Sequence, residues 1–135
     1  MRAVIDTNLW ISFLLGKKVA DLLTLIQDGK VEVVTDARQI AEIGDVLSRP
    51  TIKKIIGPQR RAIMLRFIHR KAKLVTPKRH IKACRDPDDD YLLEIAVEAK
   101  AAFLVSGDDD LLELDPFRSV RIVSYRDFKE MIGTG

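Results

Sequence analysis

Apolar positions along the chain form short continuous runs separated by helix-spaced stripes. The continuous runs predict buried strands at residues 2–5, 31–34, 102–105 and 120–123. Between the runs, apolar residues recur three and four positions apart, as at 19, 22, 23 and 26, which is typical of one face of a helix. Repeated alternation of strand and helix predicts a parallel sheet with helices on both faces.

Capping residues and helix breakers bound the predicted helices. The helices cover residues 9–15, 19–27, 36–47, 51–56, 58–70, 86–99 and 109–114, and a last helix follows Ser124. Thr35 or Asp36 caps the helix that runs to about Leu47. Pro58 and Pro87 suit first helical positions, and Ser124 with Asp127 resembles a capping box. Residues 73–75 are a candidate edge strand. The fold class is therefore α/β, with three layers around a short parallel sheet of four to five strands.

Size and composition suit a single domain, expected to cover residues 1–135. Hydrophobic residues make up 47% of the chain and aromatic residues only 6%, so aliphatic side chains dominate the core. No apolar run approaches the ~20 residues needed to cross a bilayer. The first run meets Asp6 too soon for a signal peptide. Cys84 is the single cysteine, which fits a reducing compartment, most simply the cytoplasm.

Charge is unevenly distributed despite a net charge of only +3. Residues 49–85 contain thirteen Lys or Arg, both His and no acid, whereas residues 86–135 contain thirteen acids and five bases. The basic segment suits a polyanion, and the acid-rich segment suits a cation. For each individual base, the alternative is a helix face that is merely solvated.

Acidic residues follow the predicted strands and begin the predicted helices. They are Asp6 after the first strand, Asp108, Asp109 and Asp110 after the strand at 102–105, and Asp86, Asp88, Asp89 and Asp90 at one helix start. The carboxyl ends of parallel strands meet at one edge of a sheet, so these acids are expected to face one crevice. Four acids in five positions repel each other more than the helix dipole compensates, and a divalent cation would relieve that repulsion.

Each acid also has a structural alternative. Asp6 could cap the helix that begins near Leu9, and Glu42 could pair with Arg38 four residues earlier. Other chemistries have little support, because the glycines are scattered and one Cys with two His makes a poor zinc site. The sequence therefore favours carboxylate chemistry.

Four motifs, in order along the chain, resemble those of PIN-domain nucleases. They are Val4-Ile5-Asp6-Thr7-Asn8, Gln39-Ile40-Ala41-Glu42-Ile43, Asp86-Pro87-Asp88-Asp89-Asp90 and Leu104-Val105-Ser106-Gly107-Asp108-Asp109-Asp110-Leu111. The resemblance spans the chain and is strongest to the VapC-like toxins of prokaryotic toxin–antitoxin modules. It implies a PIN-like fold and an acidic quartet formed by Asp6, Glu42, Asp90 and Asp108.

The resemblance also implies a metal site. The quartet would be both catalytic and metal-binding, with Mg²⁺ or Mn²⁺ as cofactor, Asp110 as an auxiliary ligand, and Asn8 and Ser106 orienting the carboxylates. Asp90 is preferred because it lies sixteen residues before Ser106, the usual interval in the family. The surplus of neighbouring acids leaves the individual ligands open.

The implied function is metal-dependent hydrolysis of RNA phosphodiester bonds by a toxin. Candidate residues for binding the RNA backbone are Arg49, Lys53, Lys54, Arg60, Arg61 and Arg85. A cognate antitoxin and a homodimer are the implied protein partners, with Trp10, Phe13 and Leu14 as candidate contacts unless they pack in the core.

Two other functions remain open at this stage. One is a catalytically silent PIN-like module that binds RNA or protein. The other is a phosphohydrolase with Asp6 as covalent nucleophile, although Asn8 stands where such enzymes usually carry a second Asp.

Overall fold

Five parallel strands form the centre of the molecule in a computed structural model, which describes residues 1–16 and 19–133. The strands are β1 (Arg2–Ile5), β2 (Glu32–Thr35), β3 (Lys73–Leu74), β4 (Phe103–Val105) and β5 (Arg121–Val123), in the spatial order β3-β2-β1-β4-β5. The central strand pairs in parallel on both sides, as Val4 does with Val34 and Leu104. The predicted α/β class with a parallel sheet is confirmed.

The described residues contain eight α-helices, of which seven lie between strands and the last follows β5. They are α1 (Thr7–Leu15), α2 (Val19–Gln27), α3 (Ala37–Leu47), α4 (Pro50–Lys53), α5 (Pro58–Lys71), α6 (Asp90–Glu98), α7 (Asp109–Leu112) and α8 (Tyr125–Gly133). A single 3₁₀ turn, Pro87–Asp89, precedes α6. None of these helices combines the length and the apolar character that crossing a bilayer requires.

Helix caps follow the predicted chemistry. Asp36 begins α3 by accepting the N–H of Gln39 at 2.9 Å, and the Ser124 hydroxyl accepts the N–H of Asp127 at 3.2 Å. Strand β2 lies one residue later than the predicted 31–34, because Val31 precedes the ladder and Thr35 continues it. The short helix predicted at 51–56 covers only Pro50–Lys53.

Strand side chains alternate between two hydrophobic cores. Ala3, Ile5 and Phe103 belong to one cluster, whereas Val4 and Leu104 belong to the other. Successive side chains of a strand point to opposite faces, so the clusters lie on opposite sides of the sheet. Helices α1, α2, α3, α5 and α8 contribute buried residues to the first core, and α6 and α7 contribute to the second. The predicted three layers are therefore present.

The residues suggested as partner contacts lie in the core instead. Trp10, Phe13 and Leu14 are all buried, because α1 packs its apolar side chains between the sheet and α3. The large hydrophobic side chains that are exposed include Ile55 and Ile63 in the region of α4 and α5. An interface through Trp10 or Phe13 would therefore require the core to open.

The strand order reverses between β1 and β4. From β1 the chain moves outward through β2 and β3, then returns to place β4 on the other side of β1. In open α/β sheets, a crevice forms at the carboxyl ends of the strands that flank such a reversal. Asp6 directly follows β1 and Ser106 directly follows β4, so both lie at this crevice.

Candidate functional site

Asp6 lies between β1 and α1 and forms hydrogen bonds with both sides of that junction. Its backbone N–H donates to the Val105 carbonyl at 2.9 Å, which extends the pairing of β1 with β4. Its Oδ1 accepts the N–H of Asn8 at 3.2 Å, and its Oδ2 accepts the Ser106 hydroxyl at 2.7 Å. Asp6 therefore does cap α1, while the buried Ser106 also holds its carboxylate at the crevice. The contact from Asn8 is made by its backbone, and its side chain is exposed.

Asp108 is connected to Asp6 through Ser106. The backbone N–H of Asp108 donates to the Ser106 hydroxyl at 3.0 Å, and that hydroxyl donates to Asp6. Asp108 then begins α7, because its Oδ1 accepts the N–H of Asp110 at 2.9 Å. Asp6, Asn8, Gly107 and Asp108 line an open pocket of about 360 Å³ together with Leu9 and Ser12. The acids that follow β1 and β4 therefore share one crevice.

Glu42 belongs to the same acidic region, although it lies in the middle of α3. Its side chain is exposed, and its Oε2 accepts the Tyr91 hydroxyl at 2.6 Å. The Tyr91 hydroxyl also lies 2.7 Å from the hydroxyl of Thr7, the residue after Asp6. Hydrogen bonds therefore connect Glu42 to the start of α1.

Arg38 does not form the alternative pair with Glu42. Its Nε donates to Asp36 at 2.7 Å and its Nη1 to Glu94 at 2.8 Å, and both carboxylates are buried. Burial opposes ionisation of Glu94, but hydrogen bonds from Arg38 and from the N–H of Ile81 outweigh it and lower the pKa of Glu94. Arg38 is thus engaged elsewhere.

Burial and mutual repulsion raise the pKa values of two acids. For Asp6, burial is the largest cause, and the charges of Asp108 and Glu42 add to it against the hydrogen bonds from Ser106 and Asn8. For Asp89, burial and the charges of Asp6, Asp108, Asp86 and Glu42 raise the pKa to about 6. We call Asp6, Glu42, Asp89 and Asp108 the acidic cluster.

Asp90, the residue preferred from the sequence interval, has a different environment. Its Oδ1 accepts the N–H groups of Ala83 at 3.1 Å and of Cys84 at 2.8 Å, and only 8% of the residue is exposed. Burial by itself would raise its pKa, but the hydrogen bonds from Cys84 and Ala83 lower it. Asp90 therefore holds the loop before α6, and its neighbour Asp89 takes its place among the repelling acids.

Arg85 lies beside the acidic cluster, next to Asp110. Its guanidinium is 3.6 Å from Asp110 Oδ1 and 3.1 Å from Glu113 Oε2. Asp110, expected as an auxiliary metal ligand, therefore has a cationic partner already. Because Arg85 is largely exposed, both ion pairs are weak and exchangeable.

The other candidate RNA-binding residues lie near the far end of α1 or on α4. Arg60 donates to the carbonyl of Leu14, in the last turn of α1, at 3.3 Å, whereas Asp6 is at the other end of that helix. Nine residues at 1.5 Å per residue separate the two ends by ~13 Å. Arg61 donates to the Ile56 carbonyl at 3.4 Å. Arg49, Lys53 and Lys54 are exposed at or next to α4.

The donor chemistry of the acidic cluster suits a hard divalent cation. Carboxylate oxygens are the ligands that Mg²⁺ and Mn²⁺ prefer. Burial and the charges of the neighbouring acids together raise the pKa of Asp89. Within residues 1–16 and 19–133, no three carboxylate, imidazole or thiol groups already converge into a metal site. Side chains of the cluster would therefore have to rotate inward around an ion.

Substitutions at Asp89 and Asp90 should change stability in opposite directions. Without divalent cations at pH 7.5, Asp89→Asn should raise the free energy of unfolding by on the order of 1 kcal/mol, because it removes repulsion that solvent partly screens. Asp90→Asn should lower it by about 1–2 kcal/mol, because its two hydrogen bonds lose their charged acceptor. Chemical denaturation measures both effects.

The pH dependence of the two effects also differs in sign. The pKa of Asp89 is raised from 3.8 to about 6. The wild type therefore loses stability as the pH rises from 3.8 to about 6, and the stability advantage of Asp89→Asn grows over the same range. The pKa of Asp90 is lowered, so its contribution is present above 3.8 and is lost as the pH falls further. Equal unfolding free energies for the two variants at pH 7.5 would contradict these assignments.

Comparison with known proteins identifies the family. Residues 2–110 match the family model described as PIN domain, and this region contains the whole acidic cluster. The chain is also similar to an uncharacterized protein, MJ1680, of Methanocaldococcus jannaschii, with 31% identity over 117 residues that cover 84% of this chain and 75% of that protein. PIN domains are generally nucleases. With a family match over most of its length and the acids of that region at one sheet edge, the chain belongs to the PIN domain family.

Proposed function

We propose that this protein hydrolyses phosphodiester bonds of RNA with the help of Mg²⁺ or Mn²⁺. The observation that carries the proposal is the placement of Asp6 and Asp108, joined through Ser106 at the carboxyl ends of β1 and β4, in repulsion with Glu42 and Asp89. These acids come from distant segments of the chain, so their repulsion is not a local accident of sequence. Grouped acids that destabilise the protein without a cation are typical of a functional site.

The residues of the acidic cluster have distinct tasks in this proposal. Asp6 and Asp108, joined through Ser106, would hold the cation from the ends of β1 and β4, and Glu42 and Asp89 would complete its surroundings. A cation held by these residues would supply activation of water and would offset the negative charge of the phosphodiester. Ser106 fixes the Asp6 carboxylate by donating to Oδ2, which leaves Oδ1 on the side of Asn8.

A direct test is RNA cleavage by the purified protein. Structured RNAs are incubated with Mg²⁺, with Mn²⁺ and with excess chelator, and the products are resolved on denaturing gels. Cleavage that requires the metal supports the proposal. Binding of RNA with no cleavage under any metal condition would reject it in favour of the catalytically silent module.

We propose that Arg85 holds the RNA backbone next to the acidic cluster. A phosphate could exchange with Asp110 and Glu113 as the partner of its exposed guanidinium. Arg85→Ala should therefore weaken RNA binding and reduce the slope of log binding constant against log salt concentration by about one. Arg60→Ala, near the far end of α1, should weaken RNA binding less. Binding titrations between 50 and 200 mM salt measure both variants. An equal or larger effect of Arg60→Ala would contradict this placement of the RNA.

We also propose a toxin role with a cognate antitoxin and a homodimeric state. An exposed apolar pocket supports a protein partner: it is lined by Leu14, Leu23, Arg60, Ile63, Met64 and Phe67. Induced expression should arrest growth of a host, and co-expression of the neighbouring gene should relieve the arrest. Light scattering should give about twice the chain mass of 15.3 kDa, and a monomeric mass would reject the dimer.

A further inference from the structure

A chain of hydrogen bonds runs from the core of the protein to Glu42. It begins at Gln39, which is fully buried between the end of β1 and the end of β2. The Gln39 Nε2 lies 2.6 Å from the Ile5 carbonyl and 3.4 Å from the Thr7 hydroxyl. Thr7 then contacts the Tyr91 hydroxyl, and Tyr91 contacts Glu42. Four side chains are therefore connected in sequence.

The buried end of the chain fixes the orientation of the Gln39 amide. A carbonyl can only accept, so Ile5 requires the amide nitrogen of Gln39 at its side, which leaves the amide oxygen to accept from Thr35 at 2.6 Å. The same nitrogen donates to the Thr7 oxygen. The Thr7 oxygen has a second lone pair as well as its own proton, so the buried end alone allows either direction between Thr7 and Tyr91.

The exposed end of the chain sets the direction of donation between Thr7 and Tyr91. An ionised carboxylate can only accept, so Tyr91 donates its proton to Glu42 at 2.6 Å and accepts from Thr7 at 2.7 Å. The direction from Thr7 to Tyr91 to Glu42 is therefore set by the carboxylate, and each bond polarises the next one. The chain ends on the one member of the acidic cluster that lies within an α-helix and is otherwise exposed.

The ring of Tyr91 is fixed independently of its hydroxyl. The Arg38 guanidinium lies 5.6 Å from the ring centroid, and Arg38 is itself held by Asp36 and Glu94. This arrangement also withholds Arg38 from Glu42, four residues later on α3. Arg38, the basic residue of α3 nearest to Glu42, is thus paired with Asp36 and Glu94. The neutral hydroxyl of Tyr91 contacts Glu42 instead, so no basic side chain of α3 occupies the Glu42 carboxylate.

We propose that Tyr91 is a positioning residue, which holds the Glu42 carboxylate in the acidic cluster through the chain of Gln39, Thr7 and Tyr91. The proposal rests on the function proposed above, because it assigns Glu42 to the surroundings of a divalent cation. Tyr91 acts through Glu42 and does not itself bind the ion. Its hydroxyl therefore has no role once Glu42 can no longer act as a ligand.

The test is direct binding of Mn²⁺, followed by electron paramagnetic resonance without RNA. Tyr91→Phe keeps the ring against Arg38 and removes only the hydroxyl, so Mn²⁺ affinity should fall about 10–100-fold, as for other residues that orient ligands. In the Glu42→Gln background, the same substitution should cause no further loss. Thermal unfolding should show both proteins folded.

Matched variants separate this role from a general loss of structure. Thr7→Val, which breaks the chain one step earlier, should also weaken Mn²⁺ binding, and Thr7→Ser, which keeps the hydroxyl, should restore it. Tyr125→Phe is the control, because the Tyr125 hydroxyl is buried without a partner among the described residues and lies outside the site. Its Mn²⁺ affinity should equal that of the wild type.

The outcomes distinguish the two proposals. If wild type and Tyr125→Phe bind Mn²⁺ and Tyr91→Phe binds it equally well, the positioning role is wrong and the nuclease proposal stands. The positioning role is also wrong if Tyr91→Phe weakens binding as much in the Glu42→Gln background as in the wild type. If the wild type binds no Mn²⁺, the metal-dependent function is wrong, and the role of Tyr91 falls with it.

Discussion

Asp6→Asn should reduce metal-dependent RNA cleavage by at least about a hundredfold. The substitution removes the carboxylate charge from the point where β1 and β4 meet, next to Ser106 and Asp108. A bound cation contributes several kcal/mol of charge stabilisation, and each 1.4 kcal/mol corresponds to a factor of ten in rate. Single-turnover cleavage in Mg²⁺ and Mn²⁺ measures the effect.

The same substitution should leave the fold intact. Burial raises the pKa of Asp6, so folding favours its neutral form, and a neutral Asn keeps an acceptor for one of the two hydrogen bonds. Asp45→Asn is the matched control, since Asp45 is exposed on α3 three residues after Glu42. The control should cleave like the wild type. Undiminished cleavage by folded Asp6→Asn would show that the acidic cluster is not the active site.

Arg38→Ala should produce the largest loss of stability among the substitutions considered. It leaves the buried carboxylates of Asp36 and Glu94 without the guanidinium that joins them at 2.7 and 2.8 Å. We expect a loss of about 3 kcal/mol at pH 7, the lower end for breaking a buried ion pair, because the Arg38 side chain is 49% exposed. Denaturant unfolding measures it.

The loss on removing Arg38 should depend on pH with a definite sign. The pKa of Glu94 is lowered from 4.5, against burial, by hydrogen bonds from Arg38 and Ile81. The stability it provides is therefore present above pH 4.5 and is lost as the pH falls, so the two proteins should converge in acid. Arg126→Ala is the control, since its exposed pair with Glu130 should contribute under about 1 kcal/mol. A loss of under about 1 kcal/mol for Arg38→Ala would contradict a stabilising role for the Arg38 ion pairs with Asp36 and Glu94.

The strands and most helix starts were predictable because their signals are local. Continuous apolar runs marked β1 and β4 to within a residue, and each run met a carboxylate or a hydroxyl where the sheet ends. The three-layer arrangement followed from alternation of strand and helix, so the crevice at Asp6 and Asp108 could be expected. The end of β2 was less clear, because the buried Thr35 resembles a surface residue in the sequence.

The choice between Asp89 and Asp90 could not be made from local signals. A 3₁₀ turn at Pro87–Asp89 precedes α6, and the rotation per residue changes where the turn passes into the α-helix. Asp89 and Asp90 therefore have different surroundings although they are neighbours. The number of residues between an acid and Ser106 does not show where the 3₁₀ turn passes into the α-helix. The five consecutive positions from Asp86 to Asp90, four acids and one proline, gave no signal that separates Asp89 from Asp90.

The hydrogen-bond chain from Gln39 to Glu42 could not be predicted from the sequence for another reason. Tyr91 meets Thr7 across 84 positions and Glu42 across 49, so no spacing rule connects them. Gln39 is of a residue type usually found on helix surfaces, but it lies in the core, where its amide donates a hydrogen bond to the Ile5 carbonyl at the end of β1. Long-range polar contacts of this kind depend on how the layers pack.

The most direct test of the central claim is a crystal structure of the wild type soaked in Mn²⁺, with anomalous scattering recorded. The account predicts an anomalous peak at the carboxyl edge of the sheet, bound by Asp6 and Asp108, with Asp89 closer to it than Asp90. Absence of a peak there at saturating Mn²⁺, or an ion bound by Asp90 after its release from Ala83 and Cys84, would contradict the account.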